Sequence, residues 1–218
     1  MKLLTSILVT ACVAVCASAA GQPLAPEEID SAIEAGQRGT HKQLIATCQA
    51  VIGFGEAFKG EKAGLDFSGS YEVTLSQTAG QIALLSAAAR RFYKPFTAAE
   101  VPEDLKTAAV YMTAEPSEPY VPSTKRGSIS VAAPIELVVI KAWPNRKLFV
   151  KPTELKTEPI EWPNIAGRTL QGNRARAKFQ IGQIMELTPG ELEVAVVTPA
   201  GERACILPAR DRKRVFGR

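Results

Sequence analysis

Glu191-Leu192-Glu193-Val194-Ala195-Val196-Val197-Thr198-Pro199-Ala200-Gly201-Glu202-Arg203-Ala204-Cys205-Ile206-Leu207 reads as two strands joined by a turn. Valine and isoleucine favour a pleated, half-buried chain, and the Pro-Ala-Gly break supplies residues that reverse it. The same punctuation recurs upstream. Strands are expected at 128–133, 135–143, 148–151 and 176–181 as well as 191–198 and 203–207, with turn signals at Pro144-Asn145, Gly172-Asn173, Pro189-Gly190 and Pro199-Ala200-Gly201. Short strands with frequent turns and no long helix predict a β-rich unit over residues 128–209, sandwich-like or small and barrel-like.

Going outward, Pro116, Pro119 and Pro122 stand at every third position. That spacing favours an extended connector, placed at 115–127. Before it, residues 21–114 read as a small mixed region. Pro26, Glu27, Glu28 and Asp30 suit a helix start, and the helix is expected to stop near Gly36 or Gly39. Leu44, Ile45, Cys48, Val51 and Ile52 fall at helical spacing and predict a second helix, followed by a glycine-rich loop over 53–69. Tyr71, Val73 and Leu75 alternate with polar neighbours as a strand does. From Gln77 the period changes to a helix that Pro95 ends. Thr97 and Glu100 make a capping box, and 108–114 is a further strand. The fold class is therefore α+β, with an N-terminal mixed helix and strand region followed by an all-β region.

The first 20 residues read as an address. Lys2 is followed by a short apolar run and by Ala17-Ser18-Ala19-Ala20, the order of a secretory signal peptide with cleavage near Ala19 or Ala20. Acylation at Cys12, giving a lipoprotein, is the alternative. The run is shorter than the about 18 apolar residues of a membrane-spanning helix. Of four cysteines, Cys12 and Cys16 would leave with the leader, so Cys48 and Cys205 remain as a disulfide candidate in an oxidising compartment, exported or periplasmic. Two separately buried thiols are the other reading.

The chain has 218 residues, 46% hydrophobic and 22% charged, values that exclude a disordered chain, a collagen-like repeat and a polytopic membrane protein. Its formal charge of +4 is concentrated at the end, where Arg210, Arg212, Lys213, Arg214 and Arg218 face one acid, Asp211. The body is close to neutral. The basic tail could neutralise an anionic surface, or simply be solvated and disordered; no amphipathic period supports a membrane-lying helix there.

His41 is the lone histidine, at an expected helix start and with no nucleophile motif elsewhere, so it reads as solvated. Gly53-Phe54-Gly55-Glu56-Ala57-Phe58 lacks the third glycine of a dinucleotide fingerprint, and Glu61 stands where a phosphate-binding lysine would. The sequence points to no cofactor and no Cys/His metal site, while carboxylate-only sites stay open. Glu158 with Glu161, Glu191 with Glu193, and Glu103 with Asp104 are the carboxylates that could meet. One internal echo remains, Trp143-Pro144-Asn145 and Trp162-Pro163-Asn164. Trp143 and Trp162 either cap the core or form two aromatic platforms at one end of the β-rich unit. The functional expectation is an exported, non-catalytic binding or structural module that meets a partner protein or cell-envelope polymer, without specific nucleic-acid recognition. The alternative is an exported hydrolase that uses carboxylates as acid and base.

Overall fold

Nine antiparallel strands form one curled sheet in the order β5-β4-β8-β9-β1-β2-β3-β7-β6. They are β1 (Ile45–Ile52), β2 (Tyr71–Gln77), β3 (Val110–Pro116), β4 (Leu137–Ala142), β5 (Phe149–Val150), β6 (Glu154–Trp162), β7 (Leu170–Phe179), β8 (Leu192–Thr198) and β9 (Gly201–Leu207). Four α-helices accompany them: α1 (Pro26–Arg38), α2 (Thr78–Arg91), α3 (Ile181–Leu187) and α4 (Ala209–Phe216). This is a computed structural model, and it describes residues 21–52, 70–116, 134–162, 170–187, 190–199 and 201–216. The leader with Cys12 and Cys16, the glycine loop at 53–69, most of the connector, the strand expected at 128–133, and Arg218 lie outside the described residues.

The strand β1 is the corner of the sheet. Its residues Ile45 to Ala50 pair with β2, while Val51 and Ile52 pair with Ala204 and Arg203 of β9. A strand that serves two sections in this way turns a sheet back on itself and lets one face enclose a core. That face carries Ala46 and Ala50 of β1, Val73 and Leu75 of β2, Val110 and Met112 of β3, Phe179 of β7, Val138 and Ile140 of β4, and Leu192, Val194 and Leu207 of β8 and β9. On the far side of the curl, Asn173 of β7 stands in for a strand. Its side-chain carbonyl accepts from the Ile135 amide at 2.9 Å, and its amide donates to the Ile135 carbonyl at 3.3 Å. The proline-rich segment thus separates stretches of sequence and not sheets, since β3 pairs with β7 and β1 with β9.

Three expectations change. The second helix is the strand β1. Its inward positions are the small residues Ala46, Cys48 and Ala50, alternating with Thr47 and Gln49, so the two-residue period is weak in hydrophobicity and the helical spacing of Ile45, Cys48 and Val51 masks it. The turn expected at Gly172-Asn173 lies inside β7, because Asn173 spends its side chain on Ile135. The C-terminal segment is the helix α4, with Val215 and Phe216 buried in the core, where a solvated tail was the simple expectation.

A second layer lies over one end of the outer face. Ile33 of α1, Ile82 of α2, Val101 and Leu105 form a separate apolar cluster against which Tyr111 of β3 packs. The two helices approach closely because Gly36 faces Ala83, where a Cβ would collide with the Ala83 carbonyl, and Ser86 donates to the Ile33 carbonyl at 2.8 Å. Burial and the nearby Asp104 and Glu154 charges push the Tyr111 hydroxyl up to about 12.

Cys48 and Cys205 are joined, with Cα atoms 6.0 Å apart, across the β1–β9 seam. Beside them the core is polar in part: Arg203 is buried on the inner side, burial lowering its pKa while Tyr71 opposes, and burial raises the Tyr71 hydroxyl while Arg203 opposes. The bridge closes a loop of 157 residues. Cys48→Ala with Cys205→Ala should therefore lower the unfolding free energy by about 3 to 5 kcal/mol in urea titration, and a loss below about 1 kcal/mol would contradict the seam's role. Asn173→Ala should cost about 1 to 3 kcal/mol by the same measurement, with no change in the disulfide.

Candidate functional site

The β4–β5 hairpin gathers more chemistry than any other described turn. Strand β4 ends at Ala142, and the Trp143–Pro144 peptide bond is cis. Arg146 then donates its amide to the Pro144 carbonyl at 3.0 Å and Leu148 to the Asn145 carbonyl at 3.1 Å, which makes the turn that Pro144-Asn145 predicted. The Trp143 amide donates to the Glu191 carbonyl at 3.2 Å, so the tryptophan is fixed to the start of β8. Its indole is half-buried, and the Arg146 guanidinium lies 5.1 Å from the ring centroid, in cation–π range.

Beneath Arg146 lies a carboxylate removed from water. Glu193 is 0% exposed, although it projects from the outer face of β8 opposite Lys141 of β4. Its oxygens are held by ion pairs and not by well-directed hydrogen bonds: Arg146 at 2.7 Å and Lys141 at 3.7 Å. Lys141 also holds the Glu202 carboxylate of β9 at 2.6 and 2.7 Å. An unpaired carboxylate at this depth would cost several kcal/mol, so Lys141 and Arg146 are positioned by Glu193 as firmly as they neutralise it. The arrangement is a chain of alternating charges that ends under an aromatic ring.

Next to Lys141 across the hairpin is Phe149, and Leu148 and Phe149 are each half exposed. With Val150 they form one wall of an open groove of about 500 Å³, and Gln183, Glu186 and Leu187 of α3 form the other. The groove is mixed in character, with Leu148, Phe149, Val150 and Leu187 beside Lys151, Thr153, Gln183 and Glu186.

A second charged ladder crosses β3, β7 and β6. Arg174 binds Glu115 at 2.6 Å and Glu158 at 3.1 Å, and Arg176 binds Glu158 at 2.9 Å. Glu193 and Glu202 thus share Lys141, and Glu115 and Glu158 share Arg174. Glu154 at the edge is pulled down by its exposed neighbour Lys156. Among the described residues, no group of three or more His, Cys, Asp or Glu converges as a metal site would need.

Of the residues singled out from sequence, Trp143 is in the hairpin site. Trp162 ends β6 and pairs with Leu170 at the start of β7, whereas the chain leaving the hairpin reaches the other end of β7, where Thr153 donates to the Lys178 carbonyl at 2.8 Å. The Trp162 and Glu161 side chains, with Pro163 and Asn164, lie outside the described residues. In α4, Arg212 is buried and donates to the Gly190 carbonyl at 3.4 Å, and burial lowers its pKa. Arg214 pairs with Asp211 at 3.2 Å, while Arg210 and Lys213 remain exposed. The sequence reading missed Lys141, Arg146, Glu202, Leu148 and Phe149. The available signal was Glu193 itself, a charge inside an otherwise apolar run buried on both faces.

No family of known proteins, no characterised protein and no solved structure matches the chain. The site therefore has to be read from its own geometry. Glu193→Ala should lower the unfolding free energy by about 1 to 3 kcal/mol, since it removes a buried side chain and the carboxylate that holds Arg146, while Lys141 keeps Glu202. The half-exposed Glu202→Ala should cost less than about 1 kcal/mol, and equal losses would refute the assignment of Glu193 as the buried anchor.

Proposed function

We propose that the chain is an exported, non-catalytic binding or structural module of the cell envelope, and that it meets a partner protein or envelope polymer through the β4–β5 hairpin and the groove beside it. The observation that carries this reading is the Trp143–Arg146 stack, anchored on Glu193 and continued by Leu148 and Phe149. A flat ring with a cation over it, held by a buried counter-charge, keeps its shape in the absence of a partner. Pre-organised aromatic and arginine side chains of this kind carry much of the energy of protein interfaces.

The carboxylates support binding over acid and base catalysis. Glu193 with Glu202 and Glu115 with Glu158 each share a cation, so both members of each pair are already engaged. Export is supported by the leader pattern of residues 1–20 and by the Cys48–Cys205 bridge, a bond that persists in oxidising compartments. No helix among the described residues is long and apolar enough to cross a membrane.

A photo-crosslinking amino acid at Lys147, in the turn beside Trp143, should capture one discrete partner in cells that make the protein. Trp143→Ala should weaken the purified partner's binding at least about thirtyfold. A probe at Lys147 that yields no adduct, or a Trp143→Ala variant that binds as tightly as the parent, would refute the hairpin as the contact. N-terminal sequencing of the same material should start near Ala20 or Gly21; an intact Met1 would refute export by a cleaved leader.

A further inference from the structure

Up to its last turn, the outward side of α2 carries none of the charge that a surface helix ordinarily shows. From Thr78 to Ala89 the helix has no charged residue, and two of its three polar side chains, Thr78 and Ser86, are buried. Ile82, Ala83 and Ala87 face inward. Leu85, Ala88 and, one turn on, Phe92 are exposed at the spacing that places them on one stripe. Leu85 is 38% exposed, Phe92 75% and Tyr93 97%. Contiguous apolar surface of this kind marks a face that something else covers.

What covers it is indicated by the charges at its end. Arg90, Arg91 and Lys94 surround Phe92 and Tyr93, and the sequence holds no acidic residue between Glu72 and Glu100. Among the described residues none of these three cations has an ion-pair partner; Arg90 donates instead to the Gln37 carbonyl of α1. Tyr93 has a φ of 54°, the left-handed region that a bulky residue enters only at a cost, and the turn it makes leaves both rings outside the protein. A small groove of about 380 Å³ opens beside them between Gln37, Arg90, Tyr93, Lys94 and Phe96.

We propose that this knuckle, Leu85 to Lys94, docks on an anionic phospholipid surface. Phe92, Tyr93 and Leu85 enter the boundary between headgroups and acyl chains, where aromatic rings gather, and Arg90, Arg91 and Lys94 meet the lipid phosphates. A nucleic acid would use the rings and the cations but would leave the aliphatic stripe of Leu85 and Ala88 bare, whereas a bilayer covers all of it. This surface is separate from the hairpin site and does not depend on it.

The test is co-sedimentation of the purified protein with vesicles of phosphatidylcholine alone and of phosphatidylcholine mixed with phosphatidylglycerol. The protein should bind the mixed vesicles, release them at high salt, and ignore the neutral ones. Arg90→Glu with Arg91→Glu and Lys94→Glu should weaken binding at least about tenfold, at a few-fold per charge. Phe92→Ser with Tyr93→Ser should weaken it comparably, and both rings are exposed enough for the fold to survive. Trp143→Ala should leave it unchanged. No binding to mixed vesicles, equal binding by the charge-reversed variant, loss only when Arg210 and Lys213 are replaced, or preference for single-stranded DNA over vesicles would each overturn the proposal.

Discussion

The seam between β1 and β9 is the constraint from which the rest of the molecule follows. Two residue pairs, Val51 with Ala204 and Ile52 with Arg203, join the first strand of the chain to the last, and the Cys48–Cys205 bridge fixes that meeting. Without it the section β1-β2-β3-β7-β6 and the section β5-β4-β8-β9 would be two open sheets, each with an apolar face in water. With it, one curled sheet encloses a single core, and α3 and α4 fill its openings with Ile184, Val215 and Phe216. The cost of bringing residues 157 positions apart together is conformational entropy, which a covalent bond removes from the unfolded chain.

The curl also explains why the candidate contact surfaces are on the outside. Inward positions are taken mostly by aliphatic residues, with Arg203 of β9 a charged exception, and Lys141, Glu193 and Glu202 of β4, β8 and β9 meet on one outer face, where they neutralise each other. Trp143 and Arg146, at the end of β4, inherit a rigid base from that network. On the other outer face, the α1–α2 layer covers Tyr111, and α2 leaves an apolar stripe at Leu85 and Ala88 on its own far side. Two exposed surfaces of different chemistry result, one an aromatic and cationic hairpin beside a groove, the other an aliphatic stripe capped by rings and basic residues.

Much of the fold was legible in the sequence where hydrophobic period and punctuation agree. Tyr71, Val73 and Leu75, the switch to a helix after Gln77, and the strands around Val139, Val194 and Cys205 all read correctly. The strand β1 did not, because its inward residues are small and its period is ambiguous. The strand β6 did not either, since Pro159, Glu158 and Glu161 suppress the strand signal at an edge, where pairing on one side suffices. The candidate site was legible only as Trp143 and as a list of carboxylates. Which carboxylate meets which cation is decided by register across strands far apart in sequence, as when Lys141 falls opposite Glu193. No local pattern carries that information.

The central claim is that the strands on both sides of the proline-rich segment form one cooperative sheet joined at the β1–β9 seam. Native-state hydrogen exchange tests it most directly, by reading the opening free energy of each strand separately. The account predicts that amides of β2 and β3 exchange with the same opening free energy as those of β8 and β9, through one global event. Amides of β2 and β3 that open at markedly lower free energy, while β8 and β9 stay protected, would contradict it.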